Sequence, residues 1–183
     1  MDSTVFWKII ETVYSLSAGQ RDRYLDLLGE SLNRLSAEEI KAFQVCFYEQ
    51  MDRAYSWDLW GAAYIIGDGC SDDSFIDFRV WLISMGEKAY KAVLKNPETL
   101  VDLIGDDPEE CFFEELLYVA HDIYKAKTGR EMELFDREIL SEPSGQAWDE
   151  DTDELKTRFP KLWNMFWPIA TVSAMQNNTK ISL

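Results

Sequence analysis

Apolar positions recur at spacings of three and four along most of the chain, and no run of alternating apolar and polar residues appears, so the elements it predicts are helices. Phe6, Ile9, Ile10, Val13 and Leu16 or Tyr14 mark one helix over Thr4–Leu16. Tyr24, Leu28, Leu32 and Leu35 mark a second over Gln20–Leu35, with Ser17, Ala18 and Gly19 turning the pair into a helical hairpin. Ser36-Ala37-Glu38-Glu39 is a capping box, in which the hydroxyl and the carboxylate each satisfy an orphaned backbone donor. A third helix therefore starts there and carries Ile40, Phe43, Phe47, Met51 and Ala54. A break near Ser56 separates it from a short helix over Trp57–Ile66, the alternative being one long kinked helix. Gly67 stops that helix, Ser71 offers a hydroxyl cap, and Asp72 and Asp73 put negative charge on the first turn of the next. In this reading Gly67 or Gly69 takes a positive φ.

The helix after that loop runs through Phe75, Phe78, Trp81 or Leu82 and Met85 to Gly86. Glu87–Lys95 follows, with Tyr90, Val93 and Leu94 apolar, and Asn96-Pro97 restarts the chain in a short turn reaching Ile104. Asp107-Pro108-Glu109-Glu110 then opens what reads as the most regular helix, through Phe113, Leu116, Leu117, Ala120, Ile123 and Tyr124 to Gly129. Arg130–Asp149 reads as an acidic, irregular excursion, and Thr152–Trp167 as a last helix interrupted or kinked at Pro160. The expected architecture is an all-α, single-domain, multi-helix bundle of about eight or nine helices over residues 1–183, with a frayed tail at 176–183.

The stretch from Met51 to Gly86 is the most distinctive of the sequence. Its W-D-L-W-x-A-A-Y-x-I-x-x-G-C-S-D-D core, with L-S-A-E-E-I-K-A-F-Q before it and N-P-E-T-L and Y-K-A-K-T-G-R-E after it, resembles the bacterial family catalogued as domain of unknown function 4240. The resemblance covers Val5 to Glu131, with a further likeness at R-F-P-K-L-W, Arg158 to Trp163. It divides the chain into a family-like core at 5–131 and an excursion plus C-terminal helix at 132–167. It implies a compact bacterial domain in the cytoplasm, and passes on no catalytic residue, cofactor or substrate.

Composition narrows the classes. With 46% hydrophobic and 14% aromatic residues in 183, the chain can bury a substantial core. No run of about 18 apolar residues offers a membrane span, and an acidic N-terminus is unlike a signal peptide. Cys46, Cys70 and Cys111 are odd in number and widely spaced, which argues for free thiols in a cytoplasmic protein and against a disulfide framework or a zinc site. Residues 102–154 hold 18 acidic side chains against 4 basic, so nearly all of the net charge of −16 is concentrated there. A field of that sign repels phosphate backbones and excludes the basic stripe that nucleic-acid binding needs. It favours a basic protein partner, docked on a surface of Glu109, Glu110, Glu114, Glu115 and Asp122.

The candidate chemistry is thin. Asp68, Asp72 and Asp73 could hold a hard cation, but D-x-G-x-S-D-D lacks the order of a calcium loop, and capping explains the same residues. Glu114, Tyr118, His121 and Asp122 share the helix face opposite the apolar stripe, yet His121 is the only histidine and no serine or cysteine nucleophile stands at a readable spacing. Arg53, Trp57, Asp58, Trp60, Arg79 and Trp81 are residue types of a binding cleft, with Asp68, Ser71, Asp72 and Asp73 at its mouth; they are equally those of an aromatic core in which the arginines bond Asp52, Asp58 or Asp77. Common nucleotide, zinc-protease and hydrolase motifs are missing from the sequence. No catalytic residue, metal or cofactor is therefore assigned. A non-catalytic interaction module of inhibitor, immunity-like or regulatory kind is the leading reading, ahead of an enzyme working at the Asp68–Asp73 loop.

Overall fold

The computed structural model describes residues 1–105, 107–134, 140–149 and 152–167, and every structural statement concerns these. They form an all-α, multi-helix fold of nine α-helices: α1 Ser3–Ser17, α2 Arg21–Asn33, α3 Ala37–Arg53, α4 Trp57–Ile66, α5 Asp72–Ser84, α6 Glu87–Lys95, α7 Val119–Thr128, α8 Thr152–Arg158 and α9 Pro160–Phe166. Three 3-10 turns, Pro97–Asp102, Pro108–Cys111 and Glu114–Tyr118, connect α6 to α7. The tail at 176–183 and residues 135–139 of the acidic excursion lie outside the described residues.

The helix starts follow from their caps. Both arms of the Ser36 capping box are made, Glu39 N–H donating to Ser36 Oγ at 3.2 Å and Ser36 N–H to Glu39 Oε2 at 2.8 Å. Ser56 accepts from Leu59 N–H and so starts α4 as a helix separate from α3. Ser71 does the same for α5 through Ser74 N–H at 3.2 Å. Gly69 takes the positive φ, at 118°, while Gly67 sits at −89°. Gly67 is needed for room instead, because a Cβ there would stand 2.8 Å from the Gly69 carbonyl oxygen.

Buried apolar residues from Phe6 on α1 to Trp163 on α9 make one continuous cluster. Helix α5 runs through it, every residue from Phe78 to Ser84 being buried, with α3, α1 and α4 packed on one part of its surface and the 3-10 turns on another. The C-terminal helices close over α4, where Gly61 has no Cβ and Leu155, Phe159 and Trp148 press to about 3 Å of the place one would occupy. Trp148 Nε1 donates to the Trp57 carbonyl and Trp167 Nε1 to that of Ile65, both at 2.9 Å. No helix among the described residues is long and apolar enough to cross a membrane.

One expectation needs correction. The regular helix expected from Asp107 to Gly129 is broken into two 3-10 turns and α7, although its apolar spacing is helical. The cause is long-range: the Arg21 guanidinium, from α2, takes the carbonyls of Glu110 at 2.7 Å and Phe112 at 2.6 Å, with Glu109 at 3.4 Å, and Phe113 N–H donates to the Asp77 carbonyl. With these backbone groups engaged elsewhere, the i to i+4 ladder cannot form across Phe113, which sits at φ −134°. The last helix is interrupted where expected, dividing into α8 and α9 at Phe159, with Pro160 at the first position of α9, where its missing N–H costs nothing.

Candidate functional site

The residues expected to form one cleft fall into three places. The first is an aromatic knot where α4 meets α5. Trp57 stacks on Trp60 with ring centroids 5.5 Å apart, Trp60 stacks on Phe75 at 5.0 Å, and Trp148 closes the group edge-on against Trp57. Trp60 Nε1 donates to the Cys70 carbonyl at 3.0 Å, which ties the central loop down. Arg79 belongs to this knot and is buried: Nε donates to the Phe75 carbonyl at 3.2 Å, Nη1 to that of Met51 at 3.0 Å, and the guanidinium lies over the rings of Tyr55 and Phe75. Arg53, by contrast, is exposed at the end of α3 and reaches Gln50, and Asp58 pairs with Arg158 at 3.0 Å. A cavity of about 420 Å³ opens beside Arg79 and includes Asp72, Asp52, Tyr48 and Leu117 in its wall. Neither Trp57, Trp60 nor Asp68 lines it.

The central loop is occupied with its own geometry. Asp68 is exposed in the left-handed region at φ 50°, Ser71 caps α5, and Asp72 and Asp73 stand exposed on its first turn. Among the described residues no group of three or more His, Cys, Asp or Glu side chains is placed to hold a metal ion. His121 is half-buried, its Nε2 3.3 Å from the Tyr48 hydroxyl. All three cysteines are free, and burial pushes the Cys70 and Cys111 thiols up to about 12, which leaves them protonated and poorly nucleophilic.

The second place is an anionic face where α5 meets the turn Glu114–Tyr118. Asp77, one of three aspartates offered as partners for Arg53 and Arg79, lies instead in the field of Glu114, Asp73 and Glu115. Desolvation first, and then these three like charges, push its carboxyl from the ordinary 3.8 up to about 6. Glu114 accepts from the Tyr118 hydroxyl at 3.1 Å, while Glu114, Glu115 and Asp122 are all exposed. Asp77 escapes sequence reasoning because the cluster needs α5 to lie beside a segment nearly forty residues on; the signal available was the i, i+4 pair Asp73 and Asp77.

The third place is a cleft of about 580 Å³ at the C-terminal end of α5, and Trp81, Glu109 and Glu110 line it. Trp81 is thus parted from Trp57 and Trp60, and Glu109 and Glu110 from the Asp77 cluster. The fold gathers the anticipated residues by helix face, and their nearness in sequence does not decide the grouping.

No curated protein and no solved structure matches the chain. A family model described as protein of unknown function, DUF4240, matches residues 1–126. That span takes in α1 to α6, the central loop, all three 3-10 turns and most of α7, and ends before the R-F-P-K-L-W stretch. The chain belongs to the DUF4240 family.

Proposed function

We propose that the protein is a non-catalytic interaction module that docks a basic protein through the anionic face of Asp73, Asp77, Glu114 and Glu115. One observation carries the reading: the Asp77 carboxyl, on α5 beside the turn Glu114–Tyr118, is pushed up to about 6 by desolvation and then by the like charges of Glu114, Asp73 and Glu115. Like charges held together cost stability, and a fold concerned with stability alone would mix signs there. A cationic surface brought against this face would relieve the repulsion, so binding and the strain of the free state are coupled. The same field would steer association and make it salt-sensitive, because exposed charges more than about 8 Å apart are screened at physiological ionic strength.

The test compares wild type with the variant Asp73→Asn, Asp77→Asn, Glu114→Gln, Glu115→Gln in retaining proteins from a cell lysate at about 50 mM and about 300 mM salt. The reading predicts a basic protein held by wild type at low salt, released at high salt, and not held by the folded variant. If the variant retains the same proteins with the same salt dependence, this face is not the docking surface.

A further inference from the structure

The cleft at the C-terminal ends of α1 and α5 has a distinct chemistry. Its walls carry four aromatic rings, Tyr14, Tyr24, Trp81 and Phe113, and its rim carries Asp107, Glu109 and Glu110. Two helices end at it. Tyr14 and Ser17 belong to the last turn of α1, and Trp81 and Ser84 to the last turn of α5. Each helix C-terminus presents about half a negative charge, and neither of these helices has a basic residue in its last turn to offset it. The lone cation in the lining is Arg21, whose guanidinium is engaged with the Glu110 and Phe112 carbonyls and lies over the Phe113 ring, 4.9 Å from its centroid.

Aromatic faces, helix C-termini and carboxylates all attract the same kind of ligand: a cation whose charge is carried on an apolar stem. The wall already holds one such group in Arg21. At about 580 Å³ the cleft has room for another. Cys111 lines it too, but its thiol is buried and pushed up to about 12, so the cleft is suited to binding and not to thiolate chemistry.

We propose that this cleft is a binding site for an organic cation, a primary ammonium or guanidinium on an alkyl stem. Such a group comes from two sources: a free amine, or the side chain of a lysine or arginine presented by another protein. The site lies one turn along α5 from Asp77, and Asp73, Asp77, Glu114 and Glu115 are not among its lining residues, so each can fail without the other.

The experiment titrates the whole protein by calorimetry with 1,5-diaminopentane, agmatine and, as a neutral counterpart, 1-pentanol, and in a second arm with the capped peptides Ala-Lys-Ala, Ala-Arg-Ala and Ala-Gln-Ala. Saturable one-site binding of the cations, about tenfold or more tighter than of the neutral counterparts, is expected. Binding by the free amines identifies a small-molecule site, and binding by the cationic peptides alone identifies a side-chain pocket; either supports the proposal. Glu109→Gln with Glu110→Gln, both at exposed positions, should weaken it about tenfold, as should Trp81→Phe, while Glu38→Gln with Glu49→Gln on α3, both exposed and outside the lining, leaves it unchanged. Cations that bind no better than neutral compounds, or that are weakened equally by the remote pair, would overturn the assignment.

Discussion

Asp77 and Arg79 stand two residues apart on α5 and receive opposite treatment from the fold. Arg79 points into the packed side, where two backbone carbonyls accept from its guanidinium and two aromatic rings cover it. Asp77 lies beside the 3-10 turns, where desolvation and then the charges of Glu114, Asp73 and Glu115 act against its ionised form. A buried charge that is satisfied so fully is a structural element: it joins α3 to α5 and orders the aromatic knot. A charge left among its own kind lowers the stability of the free protein, and protonation or a cation brought against it relieves the cost. The difference separates the part of the anticipated site that holds the molecule together from the part that the proposed docking would use.

The largest effect expected from breaking this contrast is at Arg79. Arg79→Met removes the donors to the Phe75 and Met51 carbonyls and uncovers the two rings, at a cost of about 3 kcal/mol. Thermal unfolding should then fall by about 6–12 °C for a chain of this size. Arg79→Lys keeps the charge without the planar fork and should recover only part of the loss. A variant as stable as wild type would return Arg79 to the list of candidate ligand-binding residues.

A smaller effect separates the two roles of the central loop. Ser71→Ala removes the acceptor for Ser74 N–H and should cost about 1 kcal/mol in denaturant unfolding. Asp72→Ala removes only an exposed first-turn charge and should cost about 0.5 kcal/mol or less, and at Asp73→Ala the same loss is offset by relief of the repulsion on Asp77. Were the aspartate variants to lose a cation-binding or enzymatic activity while Ser71→Ala kept it, the loop would have to be read as a site.

Local rules made much of the fold legible. The Ser36 box, the Ser56 and Ser71 caps and the Pro160 break each act within one turn of the residue that signals them, so the sequence shows them directly. The segment from Asp107 to Tyr118 was misread because its conformation is set by Arg21, about ninety residues away, against a helical period that is present in its own side chains. The site was legible by residue type and not by grouping. Trp57 and Trp60 share a face one turn apart, whereas Trp81 lies two residues beyond Arg79 and so turns to the opposite side of α5. The Asp77 cluster and the aromatic cleft both join segments far apart in sequence, and helical periodicity carries no information about such pairings.

The central claim, an anionic face left uncompensated, is tested most directly by the stability of Asp77→Asn as a function of pH. The folded-state carboxyl, at about 6, lies above its ordinary 3.8, so between these values the folded chain binds more protons than the unfolded one, and stability falls as pH rises. The cost is fully present above about pH 6 and absent below about pH 4. Removing the charge should therefore stabilise the protein at pH 7 by about 0.5–1 kcal/mol, after allowance for solvent screening at this half-exposed site, and by nothing at pH 3.5. A variant no more stable than wild type at pH 7, or one whose advantage persists unchanged at pH 3.5, would contradict the claim.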